Sequence, residues 1–134
     1  VIGCGVIANQ MAQSLALAGR KLAGVANRTP SKAQAFAEQY GIEKVYDTVE
    51  DLYADPGIDA VYITTPHNTH ITYLRAALAA GKHVLCEKAI TLNSMRPVPL
   101  PPSTTWSLWT LPRCSTCPCI KSCVAAWMPA SSAA

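Results

Sequence analysis

The chain has 134 residues, a formal net charge of +3 and a composition that is 50% hydrophobic and 14% charged. This length suits one domain with its own core, and the small positive charge gives no argument for a nucleic-acid partner. No segment approaches the run of about 18 apolar residues that a membrane helix needs, and no basic segment followed by an apolar one indicates a secretory leader. We therefore expect a cytoplasmic protein without a membrane or nucleic-acid partner.

The composition changes abruptly after about residue 94. Residues 1–94 contain all seven glycines and balance eight basic against eight acidic residues. Residues 95–134 contain seven of the ten prolines, four of the six cysteines, three basic residues and no acidic residue. We therefore expect one domain at 1–94 and a tail at 95–134 that is irregular or disordered.

Residues 1–94 alternate between short apolar runs and amphipathic segments. The apolar runs predict strands at 1–2, 22–26, 44–46, 60–64 and 83–86. Strands separated by helices indicate parallel βαβ units, and right-handed crossovers then build a doubly wound sheet between two layers of helices. The predicted fold is therefore an incomplete three-layer α/β domain of the Rossmann type.

Four helices are predicted between these strands from apolar residues at spacings of three and four. The first ends at Gly19 and the last at Gly81, since glycine commonly terminates helices. The two middle helices are expected to start at an N-cap followed by proline and at a weak capping box. The apolar stripes are Ile7, Met11, Leu15 and Ala18; Ala33, Phe36, Ala37 and Tyr40; and Ile71, Leu74 and Leu78, and the helix-start pairs are Thr29 with Pro30 and Thr48 with Asp51.

The pattern Gly3-x-Gly5-x-x-Ala8 lies between the first strand and the first helix. Gly3 permits a tight turn, Gly5 lets a pyrophosphate approach the backbone, and Ala8 is small enough for close packing of helix against strand. The first helical residues, Val6 and Ile7, then offer free N–H groups to the phosphates. An ordinary glycine turn is the alternative, but the order strand, turn, helix favours dinucleotide binding.

The second strand is followed by Asn27-Arg28-Thr29, where the adenosine ribose of a dinucleotide is expected. An acidic residue at this place favours NAD, whereas the planar guanidinium of Arg28 suits a 2′-phosphate. Asn27 and Arg28 are therefore predicted to bind the cofactor, and NADP is slightly favoured over NAD. A solvated surface arginine is the alternative.

Two polar segments, at 64–70 and 86–88, follow the last two strands at the edge where open parallel sheets bind ligands. Lys88 can hydrogen-bond a nicotinamide ribose or a substrate oxygen, although an ordinary surface pair explains Glu87 and Lys88 equally well. His67 and His70 lack a third ligand, so no metal site is expected. His70 is instead expected to orient or cap the start of its helix.

Four motifs in this order resemble the Gfo/Idh/MocA oxidoreductases over residues 1 to about 94. They lie at 3–8, 26–28, 65–70 and 79–88. The resemblance implies hydride transfer between NAD(P) and a carbon bearing a hydroxyl or carbonyl group on a sugar, polyol or diol. It also implies a second, larger α/β domain that supplies most substrate contacts and typically an Asp/His pair for proton transfer, and a homo-oligomeric full-length parent.

Within this resemblance, Lys88 matches the lysine of a Glu-Lys-Pro motif, which contacts the nicotinamide ribose and the substrate and helps to shuttle the proton. Lys88 is thus the predicted catalytic residue, while Ala89 stands in place of the motif's proline. The predicted cofactor-binding residues are Gly3, Gly5, Val6, Ile7, Ala8, Asn27, Arg28, Thr65, Pro66, Asn68, His70, Glu87 and Lys88.

The tail contains Cys114, Cys117, Cys119 and Cys123, whose spacing fits no standard zinc or iron–sulfur pattern closely. Codons can be chosen for residues 105–123 so that a shift of one nucleotide spells a sequence resembling the one that follows the Glu-Lys motif in the family. We therefore hypothesise a frameshift near residues 94–96. The sixth Rossmann strand and the substrate domain would then be missing, so the chain alone is expected to be inactive.

Three functions remain open on the sequence. The first is the cofactor-binding portion of an oxidoreductase. The second is a non-catalytic nucleotide-binding module in which the tail cysteines sense metal or redox state. The third is an inactive truncated product.

Overall fold

The computed structural model describes residues 1–88 and the backbone of a strand at 108–110. None of the described helices is long and apolar enough to span a membrane. In chain order, the elements are α1 (Val6–Leu17), β1 (Gly24–Ala26), α2 (Pro30–Tyr40), β2 (Lys44–Tyr46), α3 (Val49–Ala54), β3 (Ala60–Ile63), a 3-10 turn (His67–Thr69), α4 (His70–Ala79), β4 (His83–Cys86) and β5 (Leu108–Thr110).

The parallel sheet is organised around Ile2. This residue bridges Ala26 of β1 on one side and Ile63 of β3 on the other. β1 also pairs with β2, and β4 pairs with both β3 and β5, always in parallel. The order across the sheet is therefore β2, β1, Ile2, β3, β4, β5. Along the chain, strands are first added on one side of Ile2 and, from β3 onwards, on its other side, so the strand order reverses beside Ile2. This order confirms the predicted doubly wound Rossmann fold.

Backbone hydrogen bonds on both sides of Ile2 extend these bridges into a short central strand. The Ile2 N–H donates to the Tyr62 carbonyl at 2.8 Å, and the Ile2 carbonyl accepts from the Thr64 N–H at 2.9 Å. On the other side, the Gly3 N–H donates to the Ala26 carbonyl at 2.9 Å. The backbone is thereby fixed up to the residue at which the glycine turn begins.

The sheet separates two hydrophobic cores, because successive strand residues point to opposite faces. Residues of α3 and α4 cover one face, and residues of α1 and α2 cover the other, which gives the predicted three layers. The first core contains Ile2, Ala26, Leu52, Val61, Ile63, Leu74, Leu78, Val84 and Cys86. The second contains Val1, Ala8, Met11, Ala12, Val25, Ala33, Phe36, Ala37 and Tyr62.

The buried face of α1 differs from the predicted stripe. Ala8, Met11 and Ala12 are its buried residues, whereas Ile7 is 40% exposed and Ala18 forms the C-cap. Small alanines let the helix backbone approach the strands closely, as the glycine-turn pattern requires at its third position. The prediction for Ile7 was wrong because spacing alone does not identify which of two neighbouring helix faces meets the sheet.

The starts of α2 and α3 lie close to the predicted positions. Pro30 opens α2 after Thr29, but the Thr29 side chain makes no capping hydrogen bond. In α3, Thr48 Oγ1 accepts a hydrogen bond from the Asp51 N–H at 3.1 Å and bonds the Asp51 carboxylate at 2.6 Å. The predicted cap is confirmed at Thr48, although the Asp51 carboxylate returns to the hydroxyl rather than to a backbone N–H.

A cluster of polar contacts holds the turn between α3 and β3. The Asp55 carboxylate accepts hydrogen bonds from Lys44 Nζ at 2.5 Å, Tyr46 OH at 2.6 Å and the Gly57 N–H at 2.7 Å. Lys82 Nζ donates to the Asp55 carbonyl at 2.9 Å. The bonds from Lys44, Tyr46 and Gly57 hold the pKa of Asp55 well below its usual range. Residues next to β2, β3 and β4 are thus tied together.

The expectation of an irregular tail does not hold at β5. Leu108–Thr110 pairs in parallel with β4 over three residues. Without this partner, β4 would expose unpaired backbone groups at the edge of the sheet, and Leu-Trp-Thr is a sequence that suits a strand. The hypothesised frameshift position and the four tail cysteines lie outside the described residues.

Candidate functional site

The glycine turn lies at the point where the strand order reverses. Gly3 follows Ile2 at the carboxyl end of the central strand, and Thr64 follows the neighbouring β3. Because all strands are parallel, the segments after β1, β3 and β4 reach the same edge of the sheet. The predicted site residues of all four motifs therefore share one edge, at the crevice where open α/β sheets bind ligands.

Gly3 is required at its position for two reasons. Its φ is +96°, a conformation that L side chains rarely adopt. In addition, a Cβ at Gly3 would lie only 2.9 Å from Thr64 Oγ1. The turn can therefore pass this close to β3 only with glycine.

Gly5 differs from Gly3, because space is open where its side chain would be. No atom lies within 4 Å of a Cβ built at Gly5, which is the N-cap of α1 and has no side-chain capping bond. The first hydrogen bond of the helix runs from the Asn9 N–H to the Gly5 carbonyl at 3.1 Å. The amides of Val6, Ile7 and Ala8 precede that bond at the positive end of the helix dipole. This open cradle of amides fits an anionic phosphate group.

Thr64 holds the glycine turn from the side of β3. Its hydroxyl lies 3.0 Å from the Ile2 carbonyl and 3.3 Å from the Gly3 carbonyl, and it donates to these oxygens. Thr64 lies in the polar segment 64–70 but was not among the predicted site residues. A hydroxyl directly after a buried strand was the available signal.

Asn27 and Arg28 lie at the end of β1, on one side of the glycine turn. Asn27 Nδ2 donates to the Thr29 carbonyl at 3.1 Å, which fixes the turn into α2. Arg28 is exposed. In residues 1–88, the ion pairs are Lys21–Glu43 and Lys44–Asp55, so Arg28 has no carboxylate partner there.

Lys32 is a second exposed basic residue in this part of the chain and lies in the first turn of α2, shortly after Arg28. Burial raises the pKa of the Cys4 thiol, while the amino group of Val1 and the charge of Lys32 act in the opposite direction. Burial has the largest effect, so Cys4 remains a neutral thiol. Lys32 was not among the site residues predicted from the sequence.

Hydrogen bonds between neighbouring residues shape the loop after β3. Thr69 Oγ1 lies 2.9 Å from Thr65 Oγ1 and 2.7 Å from the Pro66 carbonyl. His70 is fully buried, and its Nε2 lies 2.7 Å from the Thr65 carbonyl. Asn68, by contrast, is exposed. His70 thus contacts the backbone of Thr65, and Thr69 rather than His70 is the N-cap of α4. The orienting role of His70 stays a prediction.

Glu87 and Lys88 lie at the end of β4 and do not form an ion pair. The Glu87 N–H donates to the Ile63 carbonyl at 3.1 Å, and its carboxylate accepts a short hydrogen bond from Tyr62 OH. Lys88 is exposed. The surface Glu/Lys pair considered from the sequence is therefore absent from the described residues, and Glu87 has a tyrosine partner that sequence analysis misses.

The rings of two histidines in the segment after β3 lie side by side. The rings of His67 and His70 meet edge to face at 5.3 Å between centroids. Within residues 1–88, no group of three or more His, Cys, Asp or Glu side chains is placed to hold a metal ion. The described groups at this edge are backbone amides, hydroxyls, Arg28, the Glu87 carboxylate and Lys88.

Comparisons with known proteins identify relatives by sequence and by fold. The mouse trans-1,2-dihydrobenzene-1,2-diol dehydrogenase is 36% identical over 97 residues, which are 70% of this chain and 29% of the mouse protein. The structure of scyllo-inositol dehydrogenase from Lactobacillus casei with bound NAD(H) and scyllo-inositol aligns with a TM-score of 0.61 at 31% identity, covering 69% of this chain and 28% of that one.

A third relative carries the other dinucleotide. The structure of a 3-ketoreductase variant from Actinomadura kijaniata in complex with TDP-benzene and NADP aligns with a TM-score of 0.60 at 36% identity, covering 67% of this chain and 28% of that one. This chain thus spans less than a third of the length of each relative.

The model of the Gfo/Idh/MocA family, described as an oxidoreductase family with an NAD-binding Rossmann fold, matches residues 1–96. This range contains the glycine turn, the ends of β1, β3 and β4, and Lys88. The chain therefore belongs to the Gfo/Idh/MocA oxidoreductase family.

Proposed function

We propose that this chain is the cofactor-binding portion of an NAD(P)-dependent oxidoreductase that acts on a hydroxyl or carbonyl carbon of a sugar, polyol or diol. The open amide cradle at Gly5, located where the strand order reverses, carries this proposal. The relatives support the substrate class, since their names include a diol dehydrogenase and an inositol dehydrogenase.

The pyrophosphate of the cofactor is assigned to the glycine turn. Gly3 shapes the turn, Gly5 leaves room for the anion, and the amides of Val6, Ile7 and Ala8 face it. Ala8 is fully buried, so it also keeps α1 against the sheet. Thr64 supports this arrangement through its bonds to the carbonyls of Ile2 and Gly3.

The adenosine half is assigned to the end of β1, with Asn27 shaping the turn and Arg28 facing the ribose. An exposed arginine without a described carboxylate partner, with Lys32 shortly after it in the first turn of α2, favours a 2′-phosphate and hence NADP. Relatives with NAD(H) and with NADP both occur, so the preference rests on these two basic residues.

The nicotinamide half is assigned to the segments after β3 and β4. The loop after β3 contains Thr65, Pro66 and Asn68 and is held by the contact of His70 with Thr65. The segment after β4 contains Glu87 and Lys88. The bound cofactor supplies the hydride chemistry, and Lys88 is proposed to hold or move a proton at the reacting oxygen. An exposed lysine can reach such an oxygen, as its flexible stem allows.

Catalysis is proposed to need more than this chain. The cofactor-binding domain is assigned to residues 1–94. The substrate contacts are assigned to a further domain of the full-length parent, and this parent is proposed to be a homo-oligomer. We propose that the tail at 95–134 is out of frame, and that the chain alone binds cofactor without turnover. Sequencing the DNA across the codons for 94–96 tests the frame, and an uninterrupted frame would contradict it.

Fluorescence titration of the purified chain with NADPH and NADH tests the function itself. We expect saturable binding of at least one of them, with NADPH bound more tightly. Zinc analysis of the same sample separates this function from a metal-sensing module, for which stoichiometric metal is expected. If a chain repaired to full length bound neither nucleotide, the proposed function would be wrong.

A further inference from the structure

A buried tyrosine joins β3 to the residue that follows β4. Tyr62 is only 8% exposed, and its hydroxyl donates to the Glu87 carboxylate. Burial, reinforced by this carboxylate, raises the pKa of Tyr62 far above its usual range. The phenol therefore stays neutral and acts as a permanent hydrogen-bond donor to Glu87.

The register of the two strands explains why these side chains meet. Tyr62 lies opposite Leu85, and Glu87 is two residues beyond Leu85, so the three side chains share one face of the sheet. The Glu87 N–H also donates to the Ile63 carbonyl at 3.1 Å. Backbone and side chain of Glu87 are thus both anchored to β3, directly before the exposed Lys88.

The strand order separates this anchor from the adenosine end of the crevice. β1 lies on one side of Ile2, whereas β3 and β4 lie on the other. A dinucleotide that binds across the point of reversal places one nucleotide on each side. With the adenosine half at Arg28, the other half lies beside the ends of β3 and β4.

We propose that Tyr62 is a positioning residue for the nicotinamide half of the cofactor, an inference that rests on the proposed function. Through Glu87, it fixes the segment 87–88 at the end of β4. Without the phenol, the half-buried carboxylate loses its described side-chain donor and turns toward water, because an ionised group is costly to leave without a hydrogen bond. The backbone that leads into Lys88 is then held less firmly at the end of β4.

The substitution Tyr62→Phe removes the hydroxyl and keeps the buried ring. Binding to the 134-residue chain is measured with whole dinucleotides, NADPH and NADH, and with probes that lack the whole nicotinamide nucleoside, 2′,5′-ADP and ADP. We expect dinucleotide affinity to fall about tenfold and the affinity for the adenosine probes to change by less than about twofold. The emission of the bound reduced nicotinamide is expected to move toward that of free NADPH.

Tyr53→Phe is the matched control. Tyr53 is also 8% exposed, but it lies in the core on the opposite face of the sheet, where its hydroxyl donates to the Tyr73 carbonyl at 3.0 Å. Loss of a buried hydroxyl alone predicts equal effects of both variants. We expect Tyr53→Phe to leave both classes of probe and the nicotinamide emission unchanged.

A double-mutant cycle tests whether Tyr62 acts through Glu87. We expect Tyr62→Phe to have no further effect in a Glu87→Ala background, and Glu87→Gln, which keeps an acceptor for the phenol, to retain most dinucleotide affinity. If Tyr62→Phe fails to fold, Glu87→Ala by itself carries the same expected loss for dinucleotides only.

The outcomes separate the inference from the function it rests on. Equal loss of affinity for dinucleotides and adenosine probes, or no loss for either, would overturn the role of Tyr62 while the cofactor site stands. If the unaltered chain, with and without repair to full length, bound none of the four probes, the proposed function and the role of Tyr62 would fall together.

Discussion

At the residue scale, two glycines of one turn perform different tasks. Gly3 has a φ of +96°, and a Cβ at this position would lie 2.9 Å from Thr64 Oγ1, so this glycine is needed for the fold. Gly5 has an ordinary extended backbone and open space beside it, so it serves the ligand. Substitutions at the two positions should therefore separate stability from binding.

Gly3→Ala is expected to lower the free energy of unfolding by on the order of 1–3 kcal/mol, since it forces a strained φ and a clash. Gly5→Val is expected to lower the free energy of unfolding by less than Gly3→Ala, since valine is only a poorer N-cap there. It is expected to weaken NADPH binding at least about tenfold, because its side chain fills the cradle. Urea denaturation and NADPH titration measure the two effects. Reversed effects at the two glycines would contradict this division.

Arg28 should control the choice between the two dinucleotides. Arg28→Ala is expected to weaken NADPH binding about tenfold and to leave NADH binding unchanged, because only NADPH carries the 2′-phosphate. Parallel titrations with both nucleotides give the ratio. Arg20→Ala, at another exposed arginine, is the control and should change neither. Equal loss for both nucleotides would argue against a 2′-phosphate contact.

The residues that escaped sequence analysis share one property, since they act through contacts between distant segments. The glycine pattern names Gly3, Gly5 and Ala8 because their spacing is local. Thr64 contacts a turn 61 residues earlier, and Tyr62 contacts Glu87, 25 residues later. Neither contact leaves a local spacing in the sequence, so both follow only once β3 is placed between Ile2 and β4.

At the scale of elements, local signals located most helices and strands. The strands at 44–46 and 83–86 have the predicted bounds, because turn residues delimit both apolar runs. The run at 22–26 was too long, since only Gly24–Ala26 pairs with β2. β5 was not expected, because the composition of residues 95–134 led to the prediction of an irregular tail.

The cap of α3 is a local signal whose energetic value can be measured. Thr48→Ala removes the acceptor of the Asp51 N–H and is expected to lower the free energy of unfolding by about 1 kcal/mol. Thr72→Ala, at an exposed position inside α4, is the control and is expected to be neutral or slightly stabilising. Urea denaturation gives the free energy of unfolding of both variants, and equal effects would mean that the Thr48 cap does not stabilise α3.

At the scale of the whole molecule, Asp55 couples stability to pH. Its pKa is depressed in the folded chain by Lys44, Tyr46 and Gly57, so folding is favoured when the carboxylate is ionised. This contribution is present above the ordinary pKa of about 4 and is lost as the pH falls toward the lower folded-state pKa. Asp55→Asn is therefore expected to lower the melting temperature at pH 7 and to flatten its decline in acid.

Glu43→Gln provides the comparison for this prediction. Glu43 pairs with Lys21 at 2.6 Å, but both side chains are more than half exposed, at 77% and 57%. An exposed pair contributes little to stability, so the variant should melt like the unaltered chain at neutral pH. Thermal unfolding followed by circular dichroism from neutral to acid pH compares the two variants, and identical profiles would contradict the role of Asp55.

The position of Ile2 between β1 and β3 has a consequence for how the molecule assembles. Ile2 must find Ala26 at a separation of 24 residues and Ile63 at a separation of 61 residues. Closing the longer loop costs more chain entropy, so we expect the second pairing to form after the first during folding. The central strand that supports the glycine turn is paired on both sides only when both contacts exist. Nucleotide affinity during refolding would thus emerge together with the last strand contact, and not with the helices that form earlier.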